Sequence, residues 1–127
     1  MRKNYLYQIL ITLFLFQIGF SQEKEDQILK DSLYHSFKNK VVNYSFKDFD
    51  QLFFEYHKMV NDDTIKILTK IEYYSYTIKI ATFNDRYAAL YPKEKEIALK
   101  NKQEWYDKNY SNYLLVRQKN AIKTSVK

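Results

Sequence analysis

Glycine is almost absent from this chain, and its absence constrains the fold more than any other feature of the sequence. The 127 residues include one glycine, Gly19, one proline, Pro92, and no cysteine. Tight β-hairpin turns depend on residues that tolerate positive φ, above all glycine. A chain without glycine after residue 19 therefore favours helices joined by Asn and Asp turns over a sandwich or a barrel, and we expect an all-α fold.

Residues 1–21 have the three parts of a cleavable secretory signal peptide. Arg2 and Lys3 give a basic start, and residues 5–18 are dominated by Leu, Ile and Phe. Gly19 and Ser21 then place small residues at positions −3 and −1 of a cleavage site before Gln22. The apolar run spans about 14 residues, whereas a membrane-spanning helix needs about 20. We therefore predict cleavage, a periplasmic or secreted product, and no stable membrane anchor afterwards.

The remaining chain has the size of one domain. Removal of residues 1–21 from the 127 leaves 106 residues, which we divide into a helical domain at 22–118 and a flexible polar tail at 119–127. The formal net charge of the whole chain is +6, and loss of Arg2 and Lys3 lowers it to +4. A surplus that small, spread evenly, does not predict a nucleic-acid partner. Without cysteine, side-chain packing must provide all of the stability.

The spacing of apolar residues predicts four or five helices after the signal peptide. A first helix covers residues 26–42 on spacings of three to four. Ser45 and Asp48 form a capping-box pair at the start of a second helix. Pro92 suits the first position of a further helix, and Asn109 interrupts the chain before a last one. We expect a four- or five-helix bundle or a helical-hairpin array with short turns.

Residues 65–83 allow two interpretations. They are rich in Ile, Thr and Tyr, which favour strands, but a period of two requires two slips of register. A period of 3.6 needs none, and it places these residues on one face: Leu68, Ile71, Tyr74, Ile78 and Ala81. We predict a long helix that ends near Tyr91, because the residue before a proline avoids helical angles.

Catalytic and metal-binding patterns are missing from the sequence. Without glycine after residue 19, the chain has no Gly-rich phosphate-binding loop, and without cysteine it has no thiol nucleophile. His35 and His57 lie on different predicted helices. Asp31 and His35 are spaced as half of a metal site, but no second pair accompanies them. We predict no cofactor, no metal and no catalytic residue.

Aromatic residues are the candidates for binding. The chain has thirteen tyrosines, nine phenylalanines and one tryptophan. Trp105, Tyr106, Tyr110 and Tyr113 fall at helical spacing, and an exposed strip of such rings would hold a peptide or stack on a sugar. The competing interpretation is that these rings fill the core, since core residues show the same spacing.

The order of features from residue 31 to residue 85 resembles the region behind the signal peptide in exported Bacteroidetes proteins with tetratricopeptide repeats. The segments concerned are DSL at 31–33, SFKDFDQLFFEY at 45–56, and YYSYTIKIA at 73–81, followed by ND at 84–85. The small residues and the closing proline of a 34-residue repeat do not recur in phase here. The resemblance implies a helical-hairpin surface that is offered to another protein.

We therefore expect an exported, non-enzymatic helical module that binds another protein or a peptide. One alternative is a periplasmic chaperone-like protein with a concave apolar face. The other is a small glycan-active enzyme that uses carboxylates beside an aromatic sugar platform, which requires paired acids in a pocket that shifts their pKa.

Overall fold

The fold is built from helices. The structure is a computed structural model that describes the backbone of residues 2–126 and the side chains of residues 4–12 and 22–123. Its elements are α1 (Arg2–Val41), α2 (Phe46–Asn61), α3 (Lys70–Leu90), a short 3₁₀ helix (Pro92–Glu94), α4 (Lys95–Tyr106) and α5 (Tyr110–Val126). Helix accounts for 86% of the chain, and the described backbone has no strand, so the predicted all-α class is confirmed.

Local sequence determines where several helices begin. The Ser45 hydroxyl accepts a hydrogen bond from the Asp48 amide, and the Ser45 amide donates to the Asp48 carboxylate, which completes the predicted capping box of α2. The Thr69 hydroxyl accepts from the Glu72 amide at the start of α3. Pro92 begins the 3₁₀ turn that leads directly into α4, as its fixed φ favours.

Helix α3 is the centre of the domain and packs against α1, α2 and α4. Its buried residues point in several directions: Tyr73, Tyr74, Thr77, Ile78, Ile80, Ala81, Thr82 and Phe83. The single apolar face predicted for this segment is therefore incomplete, and its member Ile71 is exposed. A helix covered on several sides carries apolar residues around its circumference, which weakens a 3.6-residue pattern.

The predicted helix at 65–83 begins later than expected, because residues 66–69 have no regular structure and α3 starts at Lys70. The backbone groups of this segment find their partners on α5. The Leu68 amide donates to the Tyr113 hydroxyl at 2.9 Å, and the Leu68 carbonyl accepts from the Tyr110 hydroxyl at 2.7 Å. The Arg117 guanidinium donates to the Ile65 carbonyl. Since buried backbone groups need partners, these side chains stabilise the non-helical course.

Helix α1 joins the predicted signal peptide to the predicted first helix without a break. In the C-terminal half of α1, the Asp26 carboxylate accepts from the Lys70 ammonium and the Tyr74 hydroxyl of α3, both at 2.8 Å. Farther towards the N-terminus, the large apolar side chains from Tyr5 to Ile11 are between 58% and 69% exposed. Within the described part of the chain, no helix combines the length and apolar character that crossing a membrane requires. Cleavage before Gln22 stays a prediction.

Helix α5 continues to Val126, so residue 118 is not the end of a helix. The Asn109 side chain, where a break was predicted, accepts from the Ser111 amide at 2.7 Å and starts the new helix. The flexibility predicted for residues 119–127 stays a prediction.

Candidate functional site

A cleft of about 410 Å³ lies where α2, α3 and α5 meet the turn between α4 and α5. We call it the aromatic cleft. Its lining residues are Tyr56, Val60, Tyr73, Glu104, Asp107, Lys108, Asn109, Asn112, Tyr113 and Val116. Three tyrosine rings and two valines provide the apolar part, which we call the floor, and the charged and amide side chains form the rim.

Helical periodicity brings the floor together. Tyr56 and Val60 are four residues apart on α2, and Tyr113 and Val116 are three apart on α5, so each pair lies on one face of its helix. Tyr73 reaches the same place from the first turn of α3. The rings of Tyr73 and Tyr113 are stacked, with centroids 4.8 Å apart and planes 14° apart.

Two of the floor tyrosines, Tyr56 and Tyr73, present neutral hydroxyls. Burial raises the pKa of Tyr73, and the neighbouring Tyr56 raises it further. Burial likewise raises the pKa of Tyr56, against a hydrogen bond with Tyr73 that lowers it. Both phenols therefore stay protonated at every physiological pH. The floor offers rings and uncharged hydroxyl groups rather than a nucleophile or a general base.

The four aromatic residues predicted as a binding strip do not form one exposed surface. Tyr113 is 4% exposed and belongs to the floor of the cleft. Trp105, Tyr106 and Tyr110 are half-buried. The four rings therefore face inward instead of forming the predicted exposed strip, because each ring packs on a neighbouring helix.

Each of the other three rings has a defined packing partner. The Trp105 ring meets Tyr56 edge to face at 5.0 Å between centroids. The Tyr106 hydroxyl donates to the Asp31 carboxylate on α1. The Tyr110 hydroxyl donates to the Leu68 carbonyl. Only Tyr113 of the predicted set lines the cleft, and the part of all four in binding stays a prediction.

Sequence patterns missed most of the cleft. Tyr73 belonged to the segment with two interpretations. Tyr56, Val60 and Val116 were not among the residues predicted to bind. Their meeting depends on how α2 packs against α5, about 50 residues later, and no local periodicity carries that information.

Histidine side chains lie against aromatic rings. His57 contacts Phe53 and Tyr56, with centroids 4.4 and 5.2 Å apart. His35 contacts Tyr34 at 6.1 Å. Within the residues that the structure describes, no group of three or more His, Cys, Asp or Glu side chains is placed to hold a metal ion.

No protein-family model matches the chain, and no curated protein or solved structure shows significant similarity to it. The resemblance to exported tetratricopeptide-repeat proteins therefore stays a prediction from the order of sequence features.

Proposed function

We propose that this chain is an exported, non-enzymatic helical module that binds a segment of another protein in the aromatic cleft. The observation that carries the proposal is the composition of the cleft, with buried tyrosines at its floor and charged and amide groups at its rim. Binding sites for small ligands typically measure about 300–1,000 Å³ and combine an apolar lining with a few polar groups. At about 410 Å³ the cleft suits one or two side chains of a bound segment.

Export is the second part of the proposal. The basic, apolar and small-residue parts of residues 1–21 have the order of a secretory signal. Asp26 of α1, which bonds to Lys70 and Tyr74 of α3, lies after the proposed cleavage site, so the processed chain keeps these two contacts. A periplasmic or secreted location for the product follows from this proposal.

The chaperone-like and glycan-active alternatives each require a different surface. A chaperone-like protein needs a broad concave apolar face, whereas the exposed apolar residues here are spread over several helices. A glycosidase needs one carboxylic acid that is protonated near neutral pH, which burial provides. Glu104 and Asp107 line the cleft, but both are exposed. These features favour binding over both alternatives.

The test is selection of peptides from a random library displayed on phage against the purified protein. Affinities of selected peptides are then measured on two variants, Val116→Lys and Leu115→Lys. Val116 lines the cleft and is 51% exposed, while its neighbour Leu115 is 54% exposed and does not line it. The two substitutions are therefore matched in exposure and chemistry.

We expect Val116→Lys to weaken binding by about tenfold or more and Leu115→Lys to leave it unchanged, because losing a central contact costs upwards of 1 kcal/mol. Equal affinities on both variants would show that peptides bind elsewhere. A library that yields no peptide above background would contradict the proposed function.

A further inference from the structure

The rim of the aromatic cleft is acidic although the chain as a whole is basic. Glu104 and Asp107 line the cleft three residues apart at the end of α4, and Lys108 is the only cation among its lining residues. The Lys108 ammonium lies 4.7 Å from the centroid of the Trp105 ring. The two carboxylates and one ammonium give the lining a formal charge of −1, opposite in sign to the +6 of the whole chain.

Building on the proposed function, we infer that the cleft takes a basic side chain, a Lys or Arg within an extended segment of the partner protein. Long basic side chains combine an apolar stem with a charged end, and they bury the stem where the end can stay at a polar edge. The tyrosine floor suits the stem, and Glu104 and Asp107 on the rim suit the cation. Charge complementarity of this kind selects partners more than it adds affinity.

The floor suits an uncharged stem. Burial keeps the hydroxyls of Tyr56 and Tyr73 neutral, so these two residues add no formal charge to the floor. The charged end of a bound side chain therefore finds its partners at the rim, where Glu104 and Asp107 attract a cation and repel an acidic side chain.

A rim amide completes the site. Asn112 is exposed on α5 beside Tyr113, and a primary amide both donates and accepts hydrogen bonds. That chemistry fits the peptide backbone on either side of the bound side chain, whatever the neighbouring residues. The rim carboxylates select a basic side chain, and the Asn112 amide forms hydrogen bonds with the extended backbone beside it.

The experiment titrates blocked pentapeptides, with Ala at four positions, into the ¹⁵N-labelled protein and follows amide chemical shifts. The full chain is expressed and purified in the form in which the cell leaves it. The central residue is Lys, Arg, norleucine or Glu, where norleucine keeps the aliphatic stem without the charge. The double variant E104Q/D107N removes the rim charges. The matched control D50N/E96Q removes two exposed carboxylates that do not line the cleft.

We expect the Lys and Arg peptides to shift the cleft amides and to bind about tenfold more tightly than the norleucine peptide. E104Q/D107N should abolish that preference while retaining norleucine binding, and D50N/E96Q should preserve it. Equal binding of the Lys and norleucine peptides at the cleft would overturn the basic-side-chain inference and leave the proposed function standing. If no peptide shifts a cleft amide, the inference fails, and the library selection decides the proposed function separately.

Discussion

Leu68 shows how single side chains hold an irregular segment in place. Both of its backbone polar groups are bonded to tyrosine hydroxyls from α5 rather than to neighbouring peptide groups. Arg117, 6% exposed, donates to two carbonyls of the same segment and lies 3.7 Å from the Asp63 carboxylate. These residues stabilise the connection between α2 and α3 from a helix about 45 residues later in the chain.

Removal of one of these tyrosine hydroxyls should lower the stability of the fold. The substitution Tyr113→Phe leaves the buried Leu68 amide without its acceptor, and an unsatisfied buried donor costs about 1–3 kcal/mol. We expect the free energy of unfolding, measured by urea denaturation, to fall by that amount. The control Tyr91→Phe alters a ring that is nearly half exposed and should change it by less than about 0.5 kcal/mol. Equal effects of the two substitutions would contradict a structural role for the bond.

At the scale of elements, α3 carries two buried tyrosines, Tyr73 and Tyr74, and the half-buried Tyr76. Burial raises the pKa of Tyr73, and it raises the pKa of Tyr74 to about 12, where a hydrogen bond to the Asp26 carboxylate adds to the effect. Burial and a hydrogen bond to Glu55 raise the pKa of Tyr76 to about 12 as well. The helix therefore depends on its phenols remaining neutral.

This dependence predicts alkaline unfolding. A phenol whose pKa is higher in the folded than in the unfolded state stabilises fully below about pH 10, the unfolded value. That contribution is lost as the pH rises through the folded value, about 12 for Tyr74 and Tyr76. Lys30 lies beside the Tyr74 ring, and burial lowers its pKa. Its loss of a proton therefore raises the free energy of unfolding as the pH rises from its folded to its unfolded pKa.

We expect the free energy of unfolding to decline between pH 10 and 12, with tyrosinate absorbance appearing as the circular dichroism of the helices disappears. The Tyr74→Phe variant, although less stable at neutral pH, should show a shallower decline. A free energy of unfolding that stays constant over this range would contradict the burial of these phenols.

At the scale of the whole molecule, sequence alone predicted the fold class and several element boundaries. The absence of glycine after residue 19, the Ser45 capping box and the break before Pro92 are signals that can be read from the sequence. The structure confirms the all-α class, the cap and the break. It did not predict the late start of α3, because the partners of Leu68 lie on α5. The cleft was inaccessible to prediction for the same reason, since its floor combines three helices.

Cleavage of the predicted signal peptide can be tested on the whole chain. Expressed in a Gram-negative host, the protein should be recovered from the periplasm or medium with Gln22 as its first residue, as measured by intact mass and N-terminal sequencing. Ser21→Tyr places a large side chain at the −1 position and should leave the precursor uncleaved. The control Ser32→Tyr lies beyond the cleavage region and should be processed normally. An intact precursor in the cytosol would contradict the predicted export.

The cleft is assembled from residues spread between Tyr56 and Val116, so it is complete only after Val116 on α5 has met the residues of α2 and α3. If the chain is exported N-terminus first, as proposed, Tyr56 emerges before Val116. The cleft would then stay unformed until Val116 has emerged, and a segment still in transit could not engage the proposed partner.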